Sequence, residues 1–223
     1  MAGAQEGGGL RDYERWHDAY DDPASELSWR LARVQHHLGA ALDALPGERT
    51  LLSACAGDGR DVLATLSARS DGERWRVTLV ELLPVLAERA RAAAAAAGLT
   101  RVEVRAVDAG STDAYAGAVP ADVVLLVGIF GNITDDDLRT TVAAAPQLCA
   151  PGAWLVWSRG TDLVERTGVT NAEVSSWFAA AGFVELAYEE HPDPRARAAL
   201  AVARYDGDAR PLVAGQQLFR FTR

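Results

Sequence analysis

From residue 50 onward, short apolar runs alternate with stretches of helical periodicity, and this alternation decides the fold class. Thr50 to Ala54 reads as a buried strand and Asp58 to Ala68 as a helix. Arg76 to Glu81 is the next strand, followed by a helix over Leu83 to Ala97 with Gly98 placed as its C-cap. Val102 to Val107 is a third strand, and a short helix is expected around Thr112 to Ala116. ADVVLLVG, Ala121 to Gly128, is apolar almost throughout, as a central parallel strand buried on both faces requires. Thr134 caps the next helix, and the three aspartates behind it suit the positive end of the helix dipole better than a metal cluster. Ala153 to Ser158 is a fifth strand, and Thr170 with Glu173 forms a capping box for a helix ending at Gly182. Three strand-like runs close the chain: Phe183 to Glu189, Ala199 to Tyr205 and Gln217 to Phe221. Parallel neighbours need long crossovers, so the expectation is an α/β, doubly wound, mostly parallel sheet with helices on both faces. No helix-length pattern separates the last runs, which predicts an antiparallel hairpin at the end, with one run accessory.

The N-terminal part is different. Residues 1–9 read as a flexible tail, and residues 10–49 as a helical cap ahead of a domain spanning 50–223. Tyr13, Trp16, His17 and Tyr20 share one helical face. Leu27, Leu31, Val34, Leu38, Leu42 and Leu45 mark a longer helix, stopped by Pro46-Gly47. MAGAQEGGG lacks the basic and apolar regions of a signal peptide, and no apolar run reaches the about 18 residues that span a bilayer, so the expectation is a cytoplasmic protein with no membrane partner. The net charge of −9 at pH 7 opposes nucleic acid as a partner, because phosphate backbones are bound by clustered positive charge. Cys55 and Cys149, the two cysteines, form no metal-like or redox pair in sequence and read as small buried thiols. The four histidines offer no zinc or iron ligand set, so no metal is expected.

In a doubly wound sheet, ligands sit outside the carboxyl ends of the strands, where strand order reverses. The first strand ends in Ala56-Gly57-Asp58-Gly59, and glycine lets backbone approach a ligand closely. The second strand ends in Glu81, twenty-two residues beyond Gly59, where a carboxylate can accept from both hydroxyls of a ribose or simply face solvent. The third ends in Asp108-Ala109, which suits an exocyclic adenine amine. The fourth ends in GIFGNI, Gly128 to Ile133, where small residues and Phe130 would wall a reactive group. A nicotinamide dinucleotide would want a third glycine, yet Val62 follows Gly57 and Gly59. Asp58 and Asp61 in this first turn would also repel a pyrophosphate. They suit a ligand without phosphate and with positive charge.

Here the chain resembles the class I S-adenosylmethionine-dependent methyltransferases, from about Thr50 to the C-terminus. The resemblance rests on LLSACAGDGRD after strand one, LVEL after strand two, VDAG after strand three, VLLVGIFGNI around strand four, and the final hairpin. It implies a Rossmann-like seven-stranded sheet, S-adenosylmethionine as cofactor, and methyl transfer to a small-molecule acceptor by in-line displacement. The cofactor residues it implies begin with Ser53, Ala54, Cys55 and Ala56, and continue through Gly57, Asp58, Gly59 and Asp61. Glu81 and Leu82, Asp108 and Ala109, and Gly128, Ile129 and Phe130 complete them. The family's first motif usually carries an acid where Ser53 stands and a glycine where Cys55 stands. Ser53 cannot offset the cofactor's ammonium charge, which leaves Asp58 or Asp61 to do so.

The acceptor site is less marked. Asn132 contacts substrate or caps the next helix. Tyr13, Trp16 and Tyr20 either pack or shape an acceptor pocket, and His17 among them is the candidate base. Arg159 pairs with an anionic substrate or is a solvated loop arginine. The rival functions are an NAD(P)-dependent oxidoreductase and a non-catalytic methyltransferase-like binding domain.

Overall fold

The computed structural model describes residues 20, 22, 25–161 and 163–222. The face formed by Tyr13, Trp16 and His17 lies outside the described residues.

Helix α1, Glu26–Ala44, starts at Ser25, whose hydroxyl accepts the Ser28 amide at 3.0 Å. Its buried residues Val34, Leu38, Ala41 and Leu42 recur at helical spacing and pack on Leu51, Val62, Leu63 and Leu66. The cap therefore shares its core with the sheet. Arg33 and His37 also reach Glu189, which accepts from Arg33 Nη2 at 2.7 Å and lies 2.9 Å from His37 Nε2.

The following elements are β1 Arg49–Ala54, α2 Arg60–Ser67, β2 Trp75–Val80, α3 Pro84–Ala96 and β3 Val102–Arg105. Then come β4 Ala121–Leu126, α4 Asp135–Ala144, β5 Cys149–Gly160, α5 Leu163–Thr167, α6 Asn171–Ala180, β6 Phe183–Glu190 and β7 Ala198–Tyr205. They form one seven-stranded sheet in the order β3-β2-β1-β4-β5-β7-β6. The pairs among β1 to β5 are parallel, and β7 runs antiparallel to both β5 and β6. The chain builds outward from β1 to β3 and then returns to place β4 on the other side of β1. That reversal opens a crevice at the carboxyl ends of β1 and β4.

The continuous apolar runs have a direct cause. In β4, Val124 and Leu126 face one core layer with Trp157 and Phe178, while Val123 and Leu125 face the other with α1 and α2 residues. Helices cover both faces, so neither face needs polar residues. The capping signals also stand. Thr134 accepts the Asp137 amide at 3.1 Å, and Thr170 with Glu173 forms the full capping box of α6.

Three features depart from the sequence reading. Strand β5 begins at Cys149, ahead of Ala153, with an irregular register against β4. The short helix α5 had no periodic signal. Gln217 to Phe221 is not a strand. Its one ladder contact is the isolated bridge between Gln217 and Ser111. These residues instead form a strap across the carboxyl ends of β3 and β4. Leu218 donates to Gly110 O at 2.7 Å, Thr222 donates to Asn132 O at 2.9 Å, and Leu218 and Phe219 are buried. The seven-stranded sheet forms without it, and Leu218 and Phe219 join the core layer that holds Tyr115 and Phe130.

Close backbone approach at Gly110 makes this strap possible. A Cβ there would lie 2.2 Å from Phe219 O and 2.8 Å from Gln217 Nε2. Gly110→Ala is expected to displace the strap while the sheet survives. Limited proteolysis with mass spectrometry should then find faster cleavage within residues 206–222 than in the wild type, with unchanged protection of β1 and β4.

Candidate functional site

A cavity of 640 Å³ opens at the reversal point. Its floor is the turn after β1, its sides are the loops after β2, β3 and β4, and its outer wall comes from Tyr20, Arg30, Leu31 and Val34 of the N-terminal region. Phe221 on the strap completes it.

The floor turn is a run of left-handed backbone. Cys55, Gly57 and Gly59 have φ of 54°, 60° and 72°. Glycine accepts this conformation freely, whereas an L side chain at Cys55 does so at a cost of about 1–3 kcal/mol. At Gly59 a second constraint applies, because a Cβ would lie 2.8 Å from Leu79 Cδ1. Glycine there lets α2 start tightly against β2.

The Glu81 side chain joins two loops. Its Oε2 accepts the Gly57 amide at 2.8 Å and its Oε1 accepts the Leu83 amide at 2.9 Å. Glu81 is 7% exposed, and burial pushes its carboxyl up while those amides pull it back. A carboxylate has about four acceptor positions, so two amides leave capacity for further donors. Asp108, at the end of the β3 loop, accepts the Gly110 amide through Oδ1 at 2.8 Å. Leu82 and Val85 are 55% and 39% exposed at the rim, an apolar surface beside a buried acid.

The two aspartates of the turn differ. Asp58 is held by the Arg60 fork, with Nε to Oδ1 at 2.9 Å and Nη2 to Oδ2 at 2.6 Å. Arg60 also lies 4.5 Å from the centre of the Tyr20 ring. Asp61 lines the cavity on the first turn of α2, and its Oδ1 accepts the Val62 amide at 2.8 Å. Burial pushes the Asp61 carboxyl up to about 6, opposed by backbone amides and by Arg30. Burial also raises the Cys55 thiol, and the Glu81 and Asp108 charges add to this. It therefore stays protonated at neutral pH and does not act as a nucleophile.

Of the residues singled out in the sequence, the cavity brings together Tyr20, Ser53, Cys55, Ala56, Gly57, Asp58, Asp61, Glu81, Leu82, Asp108, Ala109 and Gly128. Others stand behind it. Ala54 is buried in β1, and Gly59 supports the turn. Ile129 is buried in the core, and Phe130 packs 5.9 Å from Trp157 and 6.2 Å from Phe178, centre to centre. Asn132 does not cap α4, since Thr134 does. Its amide donates to Gly128 O at 2.8 Å and so fixes the β4 loop. Arg159 is not a solvated loop residue. It is 4% exposed within β5 and donates to Asn171 Oδ1 at 2.9 Å and to Thr167 Oγ1 at 3.2 Å. Arg30, Arg60, Val127 and Phe221 were not foreseen. Arg30 carries no spacing signal on α1, and Phe221 was read as part of a strand.

The sequence matches no family model and no curated protein. Solved structures do resemble it. One is a Burkholderia thailandensis 1,6-didemethyltoxoflavin-N1-methyltransferase with bound 1,6-didemethyltoxoflavin and S-adenosylhomocysteine, at TM-score 0.61 and 22% identity over 87% of this chain and 84% of that one. Another is a Synechocystis magnesium protoporphyrin IX methyltransferase with bound S-adenosylhomocysteine, at TM-score 0.60 and 15% identity over 86% and 93%. A third is the N-methyltransferase NodS from Bradyrhizobium japonicum, at TM-score 0.58 and 18% identity over 84% and 99%. The fold is thus the Rossmann-like fold of class I S-adenosylmethionine-dependent methyltransferases.

The conformation of the floor turn is testable. Gly59→Ala is expected to cost about 1–3 kcal/mol, from left-handed backbone and the Leu79 contact. Urea unfolding should show a lower midpoint with an unchanged slope.

Proposed function

We propose that the protein is an S-adenosylmethionine-dependent methyltransferase acting on a small-molecule acceptor. One observation carries the reading: the ends of β1, β2 and β4 and the loop after β3 converge on one cavity lined by a buried carboxylate, Glu81. The residues fit a nucleoside without phosphates. Glu81 keeps acceptor capacity for two ribose hydroxyls, and Asp108 offers a carboxylate oxygen to an adenine amine. Leu82 and Val85 supply apolar surface for a base. Asp58 and Asp61 oppose a pyrophosphate at the start of α2, where a dinucleotide would place one.

Such a cofactor, when bound, supplies a methyl group already activated on a sulfonium. What remains for the protein is to position the acceptor, exclude water and, where the acceptor requires it, take up a proton. Glu81 and Asp108 fix the nucleoside, and α1 walls one side of the cavity. Tyr20, Leu31 and Val34 give the acceptor a largely apolar wall. Small-molecule methylation is supported by the net charge of −9 at pH 7, which disfavours nucleic acid. The similarity to a methyltransferase holding 1,6-didemethyltoxoflavin points the same way.

Isothermal titration with S-adenosylmethionine, S-adenosylhomocysteine and NADH, run in parallel, tests the reading. Micromolar binding of the two sulfur compounds and none of NADH is expected. Glu81→Ala and Asp108→Ala should each weaken it, and the double variant should abolish it. Failure of both sulfur compounds to bind would sink the proposal, and binding of NADH alone would favour an oxidoreductase.

A further inference from the structure

The cofactor assigned above carries a zwitterion, an ammonium and a carboxylate on one carbon, and a low-dielectric cavity must offset both charges. The position that usually supplies an acid is Ser53, which is neutral. Asp58 and Asp61 both line the cavity, and sequence alone does not separate them. The geometry does. Asp58 is engaged by Arg60 through both of its oxygens. Among the described residues no arginine closes an ion pair on Asp61, and its Oδ1 takes a backbone amide. Arg30 stands on the facing helix, lines the same cavity and is near enough to act on the Asp61 charge. Two opposite charges therefore face one space from two elements, α1 and α2.

We propose that Asp61 and Arg30 together receive the amino-acid end of the cofactor, Asp61 holding its ammonium and Arg30 its carboxylate. This rests on the methyltransferase reading and assigns the counter-charge that the first motif lacks. Among the described residues, Asp58 in the turn and Arg30 on α1 act on the Asp61 charge; Arg60, Tyr20, Glu81 and Cys55 line the same cavity, and Arg30 Nη2 donates to Tyr20 Oη at 2.9 Å. Burial pushes the Asp61 carboxyl up to about 6. Only its charged form pairs with an ammonium, so cofactor affinity should be full at pH 7 and above and fall as pH drops below 6. One unit below that midpoint the loss is about tenfold, with proton release on binding.

The test compares S-adenosylhomocysteine with methylthioadenosine, which shares the nucleoside but lacks the amino-acid end. Isothermal titration from pH 5 to pH 8 should give S-adenosylhomocysteine an additional acid loss of affinity, centred near pH 6, beyond any that methylthioadenosine shows. Glu81 also titrates in this cavity, but its effect is common to both ligands. Asp61→Asn should weaken S-adenosylhomocysteine by about 10- to 100-fold, bring its pH dependence to that of methylthioadenosine and leave methylthioadenosine binding unchanged. Arg30→Gln should weaken the first ligand and spare the second. Ser53→Asp added to Asp61→Asn should restore part of the lost affinity, because it returns a carboxylate to the same cavity.

Equal pH dependence of the two wild-type ligands would overturn the proposal even if no variant folds. So would an Asp61→Asn variant that binds S-adenosylhomocysteine as the wild type does. Binding of neither ligand at any pH would instead overturn the methyltransferase reading beneath it.

Discussion

The Glu81 carboxylate accepts one backbone amide from the turn after β1 and one from the start of α3, and through them it fixes the shape of the cavity. The Gly57 donor lies 24 residues before Glu81, and both stand beyond the last register pair of β1 and β2, Ala54 with Val80. Burying an acid is costly, and an acid with unfilled acceptor positions more so. The amides offset only part of that cost here, as the raised carboxyl shows. The remainder makes the site receptive, because a donor that enters the cavity completes an acceptor already in place. Glu81 is thus both a tie between two loops and a point of attachment.

Much of the fold was legible because a parallel sheet covered on both faces leaves a plain record. Each of its inner strands must be apolar on both sides, and β1, β2 and β4 are. Caps were equally readable, since Thr134 and Thr170 act within four residues of themselves. What sequence did not disclose depends on distant parts of the chain. Gln217 to Phe221 has the composition of a strand, and its distant partners Gly110 and Ser111 make it a strap. Arg159 follows an apolar run and so resembled a loop residue. Its burial is tolerable because Asn171 and Thr167, from the next segment, accept from it. The site was legible where one residue type suffices at a strand end, as at Glu81 and Asp108. It was illegible where geometry chooses between equals, as between Asp58 and Asp61, or where α1 contributes a wall residue such as Arg30.

Cys55 shows how little of such a site needs a particular side chain. Its backbone adopts φ of 54°, the region that favours glycine, between β1 and the turn that carries Gly57 and Gly59. The surrounding structure over-determines the conformation. A turn held in this way tolerates sequence change better than a turn that relies on glycine alone. That is consistent with a shared fold at identities of 15–22% to the solved methyltransferases described above.

The cavity draws its lining from Tyr20 at one extreme and Phe221 at the other. Its two central strands are also remote in sequence: the Thr50 amide and hydroxyl both donate to Asp122, 72 positions away. Contacts of such long range form late in folding, since the closure of long loops must come first. The full lining is assembled only when Tyr20 and Phe221 have both reached it. A ligand held there is consequently a ligand of the finished fold alone, and every increment of occupancy adds to the resistance of the whole chain to unfolding.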